Sequence, residues 1–280
     1  QESSGDGQSD TIINNGVVTA IYGDVVTGNG GIDEITNYGQ VDDIVGDYSL
    51  NGASDTISNY GTASTISGDG VTNSGGKDII QNFGDVDTII GDDAQTGGDD
   101  EITNEGDATT IFGDYIVNGN TSGNDTITNA GTVQDIYGDW FVDSQLVYGG
   151  DDVITNSGTV TGNIYGENGN DIVNNSGNIG GNIEVSNGND HVTNSGDVGG
   201  SIYGGSGADT VRNSGDIGGN IELDSGFDTV IIEATSTGGD DNLLFLDGGA
   251  EYDVLDFIIS NSAFAAALSE KFPSEGEIEY

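Results

Sequence analysis

Residues 190–203 read DHVTNSGDVGGSIY, and residues 209–222 read DTVRNSGDIGGNIE. Nine of the fourteen positions are identical, so the two segments are copies of one unit, joined by the glycine-rich bridge GGSGA at 204–208. Each copy opens on an aspartate, with a valine two places on and an asparagine two places beyond that. Ser-Gly follows, then an aliphatic residue two places past the glycine and an isoleucine four further. Apolar residues at every second place, in short runs broken by glycine, have the period of strands and not of helices.

Read outward, the phrase D-x-[IV]-x-N-x-G recurs along the chain. Its aspartates are Asp10, Asp33, Asp55, Asp78, Asp100, Asp125, Asp152, Asp171, Asp190 and Asp209, with a worn copy at Asp228. The spacing is 22 to 27 residues up to Asp152 and 19 thereafter. Three aliphatic columns keep the same register. One runs from Ile12 through Ile80 and Ile154 to Val230, a second from Val18 through Val86 to Ile217, and a third from Ile21 through Ile89 to Ile221. A single repeat cannot bury three such residues, but stacked repeats bury them as continuous columns. The expected fold is therefore all-β: a parallel β-solenoid of about ten to eleven coils, 19–27 residues each. Residues 10–234 form the solenoid, residues 1–9 an N-terminal tail, and residues 235–280 a C-terminal cap of strands and a short helix. The column from Asn14 to Asn213 precedes a turn glycine in each repeat and is expected to form a hydrogen-bonded ladder.

Composition narrows the function. Forty-nine acidic residues face three basic ones, Lys77, Arg212 and Lys271, for a formal charge of −46. Nucleic acid and anionic membrane surfaces need a basic face, and no apolar run is long enough to span a bilayer. Two carboxylates ~5 Å apart repel by about 3 kcal/mol at an effective dielectric near 20, so compaction calls for a counter-ion. Cysteine is absent, which removes disulfides and thiolate metal sites. The chain begins at Gln1, as a secreted chain does after its leader is removed.

Residues 204–212, GGSGADTVR, fit the pattern G-G-x-G-x-D-x-U-x at every position, and relaxed versions precede other column aspartates, as in ENGND at Asp171 and SNGND at Asp190. In this the chain resembles the calcium-binding RTX β-rolls. Glycines that accept positive φ turn carbonyl oxygens inward, the aspartate adds a hard anionic oxygen, and calcium takes six to eight oxygens in forgiving geometry. The resemblance implies calcium ligands at Asp33, Asp55, Asp78, Asp100, Asp125, Asp152, Asp171, Asp190, Asp209 and Asp228. The other side of each coil is an N-x-G turn, so one row of ions is expected rather than the two of a β-roll. A second acidic series, Asp24, Asp47, Asp69, Asp92, Asp114 and Asp139, follows a glycine in each early repeat. It either adds ligands to the same row or consists of solvated turn residues. Residues 155–229 also resemble the passenger β-helices of bacterial autotransporters and related adhesins.

No enzyme is expected. Carboxylate pairs are copied on every rung, whereas a catalytic pair is singular, and the basic cluster that a polysaccharide lyase requires is missing. His191 stands where other repeats carry Thr210 or Glu34 and is expected to be exposed. Tyr38, Tyr60 and Phe83 share one column; Tyr22, Phe112, Tyr137, Tyr165 and Tyr203 mark another. Such a strip either stabilises the stack or binds a glycan or cell surface. A flat threonine face for ice is broken by Glu34, Glu101, His191 and Arg212. The C-terminal EIEY, with Ile278 and Tyr280, is strand-like and suits addition to the first coil of another copy, giving a head-to-tail fibre. The expectation is a secreted, calcium-stabilised structural solenoid of a bacterial surface or biofilm matrix. A glycan-binding adhesin passenger is the rival, and an ice-binding protein a minor one.

Overall fold

The computed structural model describes residues 5–142, 148–234, 246–247 and 254–259. Every regular element among them is a β-strand, and all strand pairs are parallel. The chain is the expected solenoid, of about ten turns. One face is a twelve-stranded sheet that starts at Thr11–Asn14 and Glu34–Asn37 and runs in strict chain order to Thr229–Ala234 and Val254–Ile259. Each strand up to Thr229–Ala234 follows a column aspartate and, up to Thr210–Asn213, ends on the ladder asparagine. Register is unbroken: Ile35 lies opposite Ile57, Ile57 opposite Ile80, and Asn37 opposite Asn59.

A second, sixteen-stranded sheet forms the opposite wall and changes character along the rod. Early coils contribute one long strand each, such as Gln40–Tyr48, Thr62–Gly70 and Asp85–Thr96. After Asp107–Thr121 the sheet forks into two short arms, Thr159–Val160 and Ile164–Tyr165 in one coil, Asn178–Ile179 and Ile183–Glu184 in the next. The repeat shortens to 19 residues one coil later, from Asp152 on: the strands up to Asp135–Val142 run on through a Gly-Asp pair, and the arms beyond it end before the corresponding place.

The three aliphatic columns meet between the sheets. Ile35, Ile57, Ile80, Ile102, Ile127 and Ile154 are fully buried, as are Ile44, Ile66, Ile89, Ile111 and Ile136. At ~25 cal/mol per Å2, each such side chain contributes roughly 1.5–3 kcal/mol over leaving it in water. The asparagine ladder closes one corner. Asn37 Nδ2 donates to Asn59 Oδ1 at 2.8 Å, Asn59 to Asn82 at 2.8 Å, and the chain of bonds continues to Asn213. Adjacent coils lie ~4.8 Å apart, so the stack is a rod roughly 50 Å long.

Ahead of the first strand, Gly7 N–H donates to the Asn29 carbonyl at 2.7 Å and Asp6 accepts from Asn29 N–H at 3.0 Å. The expected C-terminal helix, Ile278 and Tyr280 lie outside the described residues. Leu246–Asp247 and Val254–Ile259 extend the two sheets by one strand each.

Candidate metal centre

The column aspartates stand where the chain turns into the twelve-stranded sheet, with their side chains directed inward. Asp33, Asp55, Asp78, Asp100, Asp125, Asp152, Asp171, Asp190, Asp209 and Asp228 are all buried. One oxygen of each is used alike: Oδ1 accepts the backbone N–H of the column aspartate one coil earlier, at 2.6–2.9 Å. From Asp33 to Asp209 the other oxygen, Oδ2, is buried with no hydrogen-bond partner.

The second acidic series is not solvated. Asp47, Asp69, Asp92, Asp114 and Asp139 are 0% exposed, and Asp24, in the first coil, is half-buried. Local backbone explains the inward direction. In the early coils the strand runs on past the third aliphatic column and its alternation breaks at the glycine: Asp47, three places beyond the buried Ile44, is buried where strict alternation would turn it outward, and Tyr48 is exposed. Strands Val17–Val25 and Gln40–Tyr48 hold Asp24 and Asp47 in this way. Oδ2 of each accepts a backbone N–H from the following turn, Gly31 to Asp24, Ala53 to Asp47, Gly76 to Asp69, Gly98 to Asp92, Gly123 to Asp114 and Gly150 to Asp139, at 2.7–2.9 Å. Ser122 Oγ also bonds Asp139. From Asp47 to Asp139, Oδ1 has no partner.

The two series converge. Asp24, Asp33 and Asp47 bring carboxylate oxygens within 4.8 Å of one another, and so do Asp47–Asp55–Asp69, Asp69–Asp78–Asp92, Asp92–Asp100–Asp114 and Asp114–Asp125–Asp139. The glycine ahead of each loop aspartate makes room. A Cβ on Gly46 would collide with Asp55 Oδ2 and the Gly68 carbonyl oxygen; Gly68, Gly91 and Gly113 repeat the arrangement with Asp78, Asp100 and Asp125. A neighbouring carbonyl oxygen thus stands beside each column carboxylate. Those glycines and carbonyls border the candidate site, and the recurrent Gly-Asp pair is their mark in the sequence.

Without a cation such a row is electrostatically costly. Burial first, and neighbouring carboxylates after it, push the acids upward: Asp33 to about 6, Asp47 to about 7, Asp69 to about 8 and Asp55 to about 9. Asp92, Asp100, Asp114 and Asp125 are raised well above the ordinary carboxylate range for the same reasons. Buried, unpartnered carboxylate oxygens are among the least favourable groups a fold can contain. The donor set is all oxygen, which suits a hard divalent ion rather than a soft transition metal. These triads could hold metal ions.

Beyond Asp139 the geometry differs. Asp152, Asp171, Asp190, Asp209 and Asp228 keep the column position but join no triad among the described residues. The places of the loop aspartates are taken by Glu167, Ser186, Gly205 and Asp224, all at positive φ of 56–99°. The left-handed turn leaves Glu167 and Ser186 half-buried and Asp224 exposed. The motif GGSGADTVR, from which calcium binding is first suspected, falls in this half.

The aromatic columns are only partly as expected. Tyr38, Tyr60 and Phe83 stack with centroids 5.1 and 4.7 Å apart. In the second column only Phe112, Tyr137 and Tyr165 stack, at 5.0 and 4.6 Å, with Trp140 edge-on to Tyr137. Tyr22 meets Tyr48 instead, and Tyr203 pairs across the sheet with Glu184 and Glu222, because the column is not aromatic on consecutive coils there. His191 is exposed, and Arg212 pairs with Glu233.

No family model, curated protein or solved structure matches this chain.

Proposed function

We propose that this protein is a secreted, calcium-stabilised structural rod of a bacterial surface or extracellular matrix. The observation that carries the reading is the row of buried carboxylate oxygens left without partners from Asp33 to Asp139. A fold that brings two such aspartates together in each of these coils offsets the cost with a bound cation, and the spacing and chemistry favour calcium. Where the ion site exists only in the folded chain, binding free energy becomes folding free energy. Calcium at extracellular, millimolar levels fits sites of this class. The arrangement is copied along the rod rather than concentrated at one place, which suits a load-bearing or spacing role, and catalysis is no part of the reading.

Circular dichroism in chelator and in millimolar calcium tests it. The chelated chain should lose a large part of its β signal and recover it on calcium addition; a chelator-resistant spectrum with an unchanged melting temperature overturns the proposal.

A second reading, an adhesin, has one observation in its favour. Tyr38 and Tyr60 are about half exposed and stacked with Phe83, as a strip that packs against sugar rings would be. Glycan-array binding abolished by Tyr60→Ala without loss of fold supports it, and indifference to that substitution removes it.

A further inference from the structure

The five triads are not separate sites. Asp47, Asp69, Asp92 and Asp114 each belong to two of them, so eleven aspartates make a single continuous row from Asp24 to Asp139. Each shared residue has one oxygen fixed by a backbone N–H and the other buried and unpartnered. Five divalent ions would bring ten positive charges to the eleven carboxylates of these triads, close to neutrality. Separate three-carboxylate sites would each be left at net −1.

The later coils lack the means to continue the row. Three changes coincide. The inward loop aspartate is gone, and the left-handed turn at Glu167, Ser186, Gly205 and Asp224 replaces the strand that carried it. The glycine that makes room in the early coils becomes Val185 and Leu223 in two of the later ones, and both side chains are buried. A Cβ on Gly204, between them, would meet Asp209 Oδ2 at 2.7 Å and Leu223 Cδ2 at 2.9 Å, so hydrocarbon fills space beside the column carboxylate. At the corresponding place in an early coil, Gly68, the atoms nearest a Cβ would be Asp78 Oδ2, the Gly91 carbonyl oxygen and the carboxyl carbon of Asp78.

Resting on the calcium reading above, we propose that the ions form one row of five, confined to the coils between Asp24 and Asp139. Neighbouring ions are bridged by the shared aspartates, and the coils from Asp171 onward stand without them. The rod is then two materials in series, an ionic half that depends on calcium and a second half, with a single buried column carboxylate per coil at Asp171, Asp190 and Asp209, that does not. A solenoid contacts itself only coil to coil, so the two halves can respond separately.

Two measurements on the full chain test this. The first is calcium stoichiometry by native mass spectrometry and calorimetric titration. The intact chain should take up five ions, Asp92→Asn should lose two because it belongs to two triads, and Asp24→Asn should lose one. Asp190→Asn and Asp209→Asn should lose none. A stoichiometry near one ion per coil along the whole rod, or an ion lost on Asp209→Asn, overturns the confinement and leaves the calcium reading intact. Equal losses from Asp92→Asn and Asp24→Asn overturn the sharing. Failure of the intact chain to take up any calcium overturns both this inference and the reading it rests on.

The second measurement needs no variant and so does not depend on one folding. In hydrogen exchange of the intact chain, chelator should strip protection from Glu34–Asn37 to Thr126–Asn129 and leave Ile172–Asn175 and His191–Asn194 protected. Loss of protection over both halves together refutes the division of the rod.

Discussion

Replacing Asp69 with asparagine should move stability in opposite directions with and without calcium. Asp69 is 0% exposed, its Oδ2 accepts the Gly76 N–H at 2.8 Å, and its Oδ1 has no partner. Burial first, and Asp47 next, raise its carboxyl from 3.8 to about 8. A group whose folded value is raised gives its full stability below the unfolded value and loses it as pH climbs to the folded one. At pH 7 that loss spans roughly three pKa units, or about 4 kcal/mol. Asparagine fills the same space, keeps an acceptor for the Gly76 N–H and turns an N–H2 toward Asp47 and Asp78. The calcium-free variant should therefore gain up to ~4 kcal/mol. In calcium it should instead lose stability, because a ligand shared by two triads is gone. The assay is folding at pH 7 followed by circular dichroism. In chelator, trimethylamine oxide is used to drive the chain into its fold, and the variant should need less of it than the parent. In calcium the variant should melt earlier than the parent. A shift of the same sign in both media refutes the account of the row.

The raised acids also set a pH dependence. Asp33, Asp47 and Asp55, near 6, 7 and 9, are favourable to the metal-free fold when protonated, so its β signal should grow as pH falls from 9 to 4; a signal that declines over that range contradicts the burial argument. Calcium-loaded protein should behave oppositely, since protons then compete with the ion for its ligands. Asn104→Ala removes the acceptor of Asn82 Nδ2 at 2.8 Å and the donor to Asn129 Oδ1 at 2.9 Å, both buried. With one N–H of Asn82 and Asn129 Oδ1 left unpaired, at about 1–3 kcal/mol each, urea unfolding in calcium should show a loss of roughly 2–6 kcal/mol. Tyr60→Ala removes two ring contacts worth about 0.5–1.5 kcal/mol each and should lower the calcium-loaded melting temperature by only a few degrees.

The fold was legible because a solenoid writes its three-dimensional neighbours into a one-dimensional period. Ile57 falls opposite Ile35 and Ile80, and Asn59 opposite Asn37 and Asn82, because each occupies the same place in its repeat. The column aspartates were legible for the same reason. The sharing of Asp47 between two triads was not, because it depends on whether the residue after Gly46 points inward or out. A Gly-Asp pair has the same letters in a left-handed surface turn as in a continuing strand. The outcome is set at Gly46, where the alternation of the long strand Gln40–Tyr48 breaks and its pairing with both neighbours skips a residue, so that Asp47 is buried and Tyr48 exposed. The resemblance to RTX repeats drew attention to 204–212, where the glycines fit best. The three-carboxylate clusters lie instead in coils where that motif is most worn.

The central claim is that divalent cations occupy the buried aspartate row and hold the early coils together. Anomalous diffraction from crystals grown in calcium tests it most directly, because it locates the ions without reference to stability. The account predicts five peaks in line along the rod, one within each triad from Asp24–Asp33–Asp47 to Asp114–Asp125–Asp139. A row without anomalous density, with ions only at exposed carboxylates on the surface, would contradict it.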